Sequence, residues 1–296
     1  MAQINIMALR HSAFYSPLLI CIAGGFLKKQ GLEPHYEVQT PQKTVVDCIR
    51  NGTAHLAQSA VATSFAELEQ TGAPCDIVHF AQINERDGFF VAARQQDNEF
   101  TWDKLLGKNV LVDHFFQPLA MFRYALLKKG VDEKQINIID AGTVDEIDYA
   151  FRQGQGDYVH QQGPAPQQME KEGIAQVVAS VGEAVGPVAF SSLCATRKWL
   201  DSEMAQAFMQ AYREARAYTI AAPASEIADR EAAFFPDIDR DVLTSTIATY
   251  QQLGCWTPHT EITNAAYENL LDVFMYSGLI TRRHDYALCV TKPPAN

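Results

Sequence analysis

The 296-residue chain carries 24 Lys and Arg against 35 Asp and Glu, a formal net charge of −11, and 47% of its residues are apolar. That apolar share excludes a mainly disordered chain, and the length suits one large domain or two lobes. The carboxylate excess, with no basic run, excludes the electrostatic footprint needed to bind nucleic acid or an acidic membrane, but leaves the charge of a small ligand open.

The first ninety residues read as alternating strands and helices, the pattern of a parallel sheet with covering helices. Residues 4–9 form a strand, and Ser16-Pro17 then opens a helix whose face of Leu18, Leu19, Ile22 and Phe26 runs to Gly31. A strand at 35–39, a helix at 44–50 closed by Asn51-Gly52, a short strand at 55–58 and a helix at 61–70 follow. Strands at 76–82 and 89–93 flank the loop Asn84-Glu85-Arg86-Asp87-Gly88. A second series repeats the alternation: helix 102–106, strand 109–112, helix 118–129, strand 136–139, helix 144–152, strand 157–159, helix 164–171, strand 175–180. After a strand at 188–195 only helices remain, at 202–221, 225–234, 239–253 and 261–276, so an organisational boundary falls near 184–200.

No stretch reaches 18 uninterrupted apolar residues, so no membrane insertion is expected. The start lacks the basic, apolar and small-residue regions of a secretory signal. As the sequence stands this predicts a cytoplasmic protein, or a periplasmic one if a signal has been removed. Cys21, Cys48, Cys75, Cys194, Cys255 and Cys289 are scattered without CxxC or Cys/His spacing and read as buried free thiols, so no metal is expected.

One internal echo bears on function. The strand ending at Leu9 leads into His11-Ser12-Ala13-Phe14-Tyr15-Ser16-Pro17-Leu18, and the strand ending at Val112 leads into His114-Phe115-Phe116-Gln117-Pro118-Leu119. Each unit is a strand, a loop with one His and two adjacent aromatics, and a Pro that opens a helix. Ligands of open parallel sheets sit at the carboxyl ends of strands, beside helix N-termini, so two such half-sites imply a cleft.

Several segments, in order and over nearly the whole chain, resemble the SsuA/THI5 (NMT1-like) family of type II periplasmic binding-protein folds. They are residues 13–31, including SPLLICIAGGFLKKQG at 16–31; residues 46–60 around Asn51-Gly52; LLGKNVLV at 105–112; Gln153-Gly154-Gln155-Gly156-Asp157; and the amphipathic tail 263–280. The resemblance implies an α/β fold with mixed sheets, covering helices and a helical C-terminal region. It implies two lobes, 1–86 with 188–296 and an inserted 87–187, joined by crossovers near 84–90 and 183–189, where Gly88, Gly182 and Gly186 give backbone freedom.

The family's enzymes test the sequence for catalysis. The pyrimidine-forming members carry a pyridoxal-phosphate Lys and a His after the third strand, where this chain has Ser59 and Thr63. Their cysteine-rich run falls on residues 187–194, with Cys194 alone. No Schiff-base amine remains, so no cofactor is expected. Desulfinases on this fold place a nucleophilic Cys in the first loop, which here has none; Cys21 lies about two turns inside the helix.

Binding is therefore the reading favoured over an enzyme, with no catalytic residue assigned. Pocket candidates come from five loops: Arg10, His11, Phe14 and Tyr15; Ser59, Ala60 and Val61; His114, Phe115 and Gln117; His160, Gln161 and Gln162; Ser191 and Ser192; and Asn84 from the crossover. Aromatic faces suit a planar body, while Ser59, helix amides and Arg10 suit an anionic or accepting group; Arg10 has an equal alternative as a solvated arginine or a salt bridge to Asp or Glu. His11, His114 and His160 converge if the fold is right, read as neutral wall residues rather than ligands or acid/base groups. His79 reads as a satisfied core residue. Asp113 is open between orienting His114, acting as a base and capping the helix at Pro118. The predicted function is that of an ABC-transporter-type substrate-binding protein for a sulfonate, pyrimidine or aromatic carboxylate, partnered by a permease if exported. The alternative is a cytosolic enzyme or ligand sensor on the same scaffold.

Overall fold

A computed structural model describes residues 1–295. Its strands are β1 (Ala2–Ala8), β2 (Leu32–Val38), β3 (Leu56–Ser59), β4 (Ile77–Asn84), β5 (Phe89–Ala93), β6 (Asn109–Val112), β7 (Asn137–Ile139), β8 (Tyr158–Gln162), β9 (Gln176–Ser180) and β10 (Ser191–Thr196). They form two five-stranded sheets in the orders β2-β1-β3-β10-β4 and β7-β6-β8-β5-β9. In the first, β1 pairs in parallel with β2 and β3, and β10 runs antiparallel to β3 and β4. In the second, β6 pairs in parallel with β7 and β8, and β5 runs antiparallel to β8 and β9. The two sheets thus share one pattern: β1 and β6, whose ends carry the repeated His-aromatic-Pro loops, hold equivalent places.

Sequence explains which strands are covered. The apolar runs of β4 and β5 are buried along their whole length, as strands covered on both faces should be. The edge strand β2 carries Pro34 and is largely exposed or half-buried; a residue without an N–H is tolerated there. Although β4 lies at an edge of its sheet, the C-terminal chain covers it. Gln82 N donates to Thr260 O (2.8 Å), Glu85 N to Cys255 O (3.0 Å) and Thr291 N to His79 O (2.9 Å). Covering removes an unpaired ladder that would otherwise invite association. Arg216, buried on the helix Glu203–Ala221, donates to the carbonyls of Ile83 (2.8 Å) and Thr257 (2.6 Å) and ties this covering layer to β4.

Local departures from the sequence reading have identifiable causes. The first helix stops at Ala23 and resumes at Phe26–Lys29, because Gly25 takes φ 78°, a conformation that interrupts the helix and suits glycine. The strand expected from 188 starts at Ser191, because Val188 N bonds to Glu85 O (2.8 Å) and Ala189 N to Ala266 O (3.0 Å), outside the sheet. A short helix, Val181–Val185, fills the preceding segment. The strand expected at 157–159 extends to Gln162, so His160, Gln161 and Gln162 stand on β8 rather than on a loop.

Two segments connect the sheets: 85–88, between β4 and β5, and 181–190, between β9 and β10. They touch each other. Besides Val188 N to Glu85 O, Arg86 Nη1 donates to Gly182 O (3.3 Å). A Cβ at Gly182 would stand 2.1 Å from Asp87 O, so only glycine permits this approach.

Candidate functional site

The carboxyl ends of β1, β3, β6 and β8 meet around a divided cavity. Its inner chamber is walled by Tyr15, Phe89, Phe115, Phe116 and Phe190, with Gln58, Ser59, Thr63, Gln117 and Ser191 supplying polar atoms. It encloses about 420 Å³ including its mouth. The outer chamber shares Leu9, Arg10 and Phe89 with it, encloses about 1270 Å³ including open solvent, and is roofed by 234–238.

Gln58 builds the first wall. Its Oε1 accepts from Leu9 N (3.0 Å) and Arg10 N (3.2 Å), and its Nε2 donates to Ser191 Oγ (3.0 Å). Ser191 Oγ in turn donates to Ser59 O (3.1 Å). One buried amide thus fixes the first loop, β3 and β10 together, and satisfied buried networks of this kind hold a site in one geometry.

The opposite wall comes from the second sheet. Arg10 Nη1 lies 2.5 Å from Asp113 Oδ2 and Nη2 3.3 Å from Oδ1, with the guanidinium over the Phe115 ring at 4.7 Å. Asp113 also accepts from Phe115 N (2.8 Å). Phe116 takes φ 33° and ψ −86°, a strained conformation for a non-glycine residue, with its ring against Phe274 at 5.0 Å. Two more bonds cross between the sheets: Ser12 Oγ donates to Gly163 O (2.7 Å) and Gln162 Nε2 to Tyr15 Oη (3.4 Å). Gln117, which lines the inner chamber, donates from Nε2 to Phe190 O (2.9 Å), and its buried Oε1 is an unpartnered acceptor.

Of the candidates, the structure brings Tyr15, Ser59, Ala60, Phe115, Gln117 and Ser191 to the inner chamber, His11, Gln161 and Gln162 to the outer one, and Arg10 to both. His114 stands apart in a neighbouring exposed groove. Five candidates lie behind the wall, in the core, His160 among them. Phe14 packs on Tyr15, Phe190 and Tyr250 with no exposed surface. Val61 is fully buried, and Asn84 Nδ2 is spent on Phe14 O (2.7 Å). Ser192 turns away from Ser191, as successive strand residues must, and bonds His79 Nδ1 (2.8 Å). His79, also bonded to Ser64 Oγ (3.2 Å), is the satisfied core residue its apolar strand suggested.

The histidines do not meet. His11 bonds Tyr36 Oη (3.1 Å) and Phe234 O (2.9 Å), and burial lowers its pKa. His114 Nδ1 bonds Val112 O (2.8 Å). His160 is buried between Phe89 (4.7 Å, stacked) and Phe122 (5.1 Å), and burial pushes its pKa down to about 3. Among the described residues no group of three or more His, Cys, Asp or Glu side chains is placed to hold a metal ion. Asp113 takes none of its expected roles toward His114 or the helix at Pro118, because Arg10 and Phe115 N claim its carboxylate. All six cysteines are buried, and loss of hydration raises the Cys194 thiol to about 12 and those of Cys21 and Cys255 further.

Sequence reasoning passed over Gln58, Phe89, Phe116, Phe190 and the roof at 234–238. Gln58 had a usable signal, an amide closing an otherwise apolar strand; the roof had none, being a loop joined to the site only by tertiary packing.

Two mixed sheets of one topology, linked by two adjacent crossovers and enclosing a divided cavity at their strand ends, define a protein of the periplasmic binding-protein fold. The pattern of the NMT1/THI5 like family matches residues 13–226, and the chain belongs to that family. It is 29% identical over 299 positions, 99% of this chain and 88% of the other, to the Bacillus subtilis (strain 168) protein named "Putative binding protein YtlA". Among solved structures, the alkanesulfonate-binding protein SsuA of Xanthomonas axonopodis pv. citri, bound to MOPS, superposes with a TM-score of 0.74 at 15% identity over 99% of each chain. The ligand binding component of an ABC-type import system from Staphylococcus aureus, with zinc bound, gives 0.76 at 16% identity over 99% of this chain and 97% of that one. At those identities the likeness is one of fold.

Proposed function

We propose that the protein is a solute receptor that closes its two lobes on a planar heteroaromatic ring in the inner chamber. The observation that carries this is the chamber's lining: five aromatic rings, with Gln and Ser/Thr side chains among them and its one guanidinium already engaged by Asp113. Rings stack on aromatic faces, and a ring bearing N–H and nitrogen acceptors can bond Gln117 Oε1 and the Tyr15 hydroxyl, which accepts from Gln162 and keeps its own proton to donate. An alkyl sulfonate would need Arg10 to exchange Asp113 for the ligand, and would leave the rings without a flat partner. The solved relative named as part of an import system supports an ABC permease as partner, which would place the chain outside the cytoplasmic membrane; cell fractionation decides between that and the cytoplasm.

Thermal-shift screening followed by calorimetry tests the reading. Pyrimidines and related heteroaromatics should stabilise the protein, with Tyr15→Ala and Ser59→Ala weakening them by about tenfold or more. Conversion of the bound compound, seen by mass spectrometry, or tighter binding of alkyl sulfonates than of any ring compound, would overturn it.

A further inference from the structure

We propose that the outer chamber is a second subsite, which takes a substituent bearing N–H or ammonium donors attached to the ring in the inner chamber; this rests on the ring-binding reading above. The two chambers adjoin, with Leu9, Arg10 and Phe89 lining both, so they lie side by side for one ligand that spans them. Three observations set the chemistry of the outer one. Gln161, which lines this chamber, is almost fully buried; its Nε2 donates to Val144 O at 3.5 Å and its Oε1 has no partner. A buried acceptor left unpaired is costly, and a ligand N–H is what relieves it.

Second, the charges lining this chamber are the carboxylates Asp113, Asp145 and Asp237 against Arg10, which is already paired with Asp113. The remaining basic side chain, His11, is kept neutral by burial and has both ring nitrogens bonded, to Tyr36 Oη and Phe234 O. An anionic tail would meet three carboxylates and no free cation. An ammonium would be attracted by the exposed carboxylates Asp145 and Asp237 at the chamber's edge. Third, Phe89, Phe234 and Phe235 line the same chamber, and aromatic rings favour a cation over an anion.

The test uses three probes with one head: 4-methylpyrimidine, 4-(2-aminoethyl)pyrimidine and 3-(pyrimidin-4-yl)propanoate, titrated calorimetrically into the full chain. The aminoethyl compound should bind about tenfold or more tighter than the methyl compound, and the propanoate more weakly than either. Gln161→Leu, and separately the exposed Asp145→Asn, should cut the amine's advantage by about fivefold while changing methyl-compound affinity by less than about twofold. Gln117→Leu should weaken all three probes together. Equal affinity of amine and methyl compounds, tightest binding of the propanoate, or equal losses for both probes in Asp145→Asn would overturn the subsite while leaving the ring site standing. If none of the three binds, the ring site fails and the subsite with it.

Discussion

The Arg10–Asp113 pair joins the loop after β1 to the loop after β6, so it bridges the two sheets, and its removal has a calculable effect. The side chains are 20% and 5% exposed, and at the observed 2.5 and 3.3 Å this is a two-point contact. At an effective dielectric of about 20 and a separation of about 3 Å the gross attraction is about 5 kcal/mol, most of it offset by desolvation. Deleting Arg10 alone strands a buried carboxylate, at a cost of about 3–5 kcal/mol. Opening the cleft rehydrates Asp113 and recovers part of that. Arg10→Ala should therefore lower the melting temperature by about 4–8 °C at roughly 2 °C per kcal/mol, and enlarge the radius of gyration in solution scattering. Deleting both partners removes the orphaned charge, so the Arg10→Ala/Asp113→Ala double variant should be at least as stable as Arg10→Ala. The double-mutant cycle should show coupling of about 2 kcal/mol. Losses from the two single variants that add to within about 0.5 kcal/mol would show that the pair does not join the sheets energetically.

Other substitutions separate wall from core. Phe14→Ala should cost about 3–5 kcal/mol in urea unfolding, since the ring is fully buried; lost ligand affinity at unchanged stability would refute its placement. Asp87, buried in the first crossover with one oxygen unpartnered, has its pKa raised to about 8 by burial, against 3.8 for a free side chain. The folded state then holds a proton that the unfolded state has released, so this group's contribution to stability falls as pH rises from about 4 to about 8. Glu231 acts in the same direction, also raised to about 8 by burial. Asp87→Asn should flatten the decline in urea midpoint between pH 5 and 8, and an unchanged slope would count against it. Native protein at pH 7.5 should react slowly with a thiol reagent and expose all six cysteines only on denaturation; rapid labelling of any one would contradict the burial described.

The parts of this architecture visible in the sequence were those written in local pattern. The strand-loop-Pro echo announced two equivalent units, and they occupy matching positions in two sheets of one order. The adjacent aromatics of each loop were visible too, but not which way each one faces. Tyr15 reaches the chamber while Phe14 fills the core, and Ser191 faces the cavity while Ser192 faces His79. Those choices follow from strand parity and from where a loop turns, and a shift of one residue reverses them. Extension of β8 to Gln162 similarly converted three supposed loop residues into strand residues with separate environments. The pairing of Arg10 with Asp113, 103 positions apart, depends on two sheets meeting and leaves no local trace.

The central claim, that the inner chamber holds a planar heteroaromatic ring, is tested most directly by native mass spectrometry of the protein purified from its own cells, with identification of whatever it releases on denaturation. The expected result is one small molecule per chain, a nitrogen-containing aromatic ring lost in the Tyr15→Ala variant. Release of an aliphatic sulfonate, or of a ring compound still fully retained by Tyr15→Ala, would contradict it.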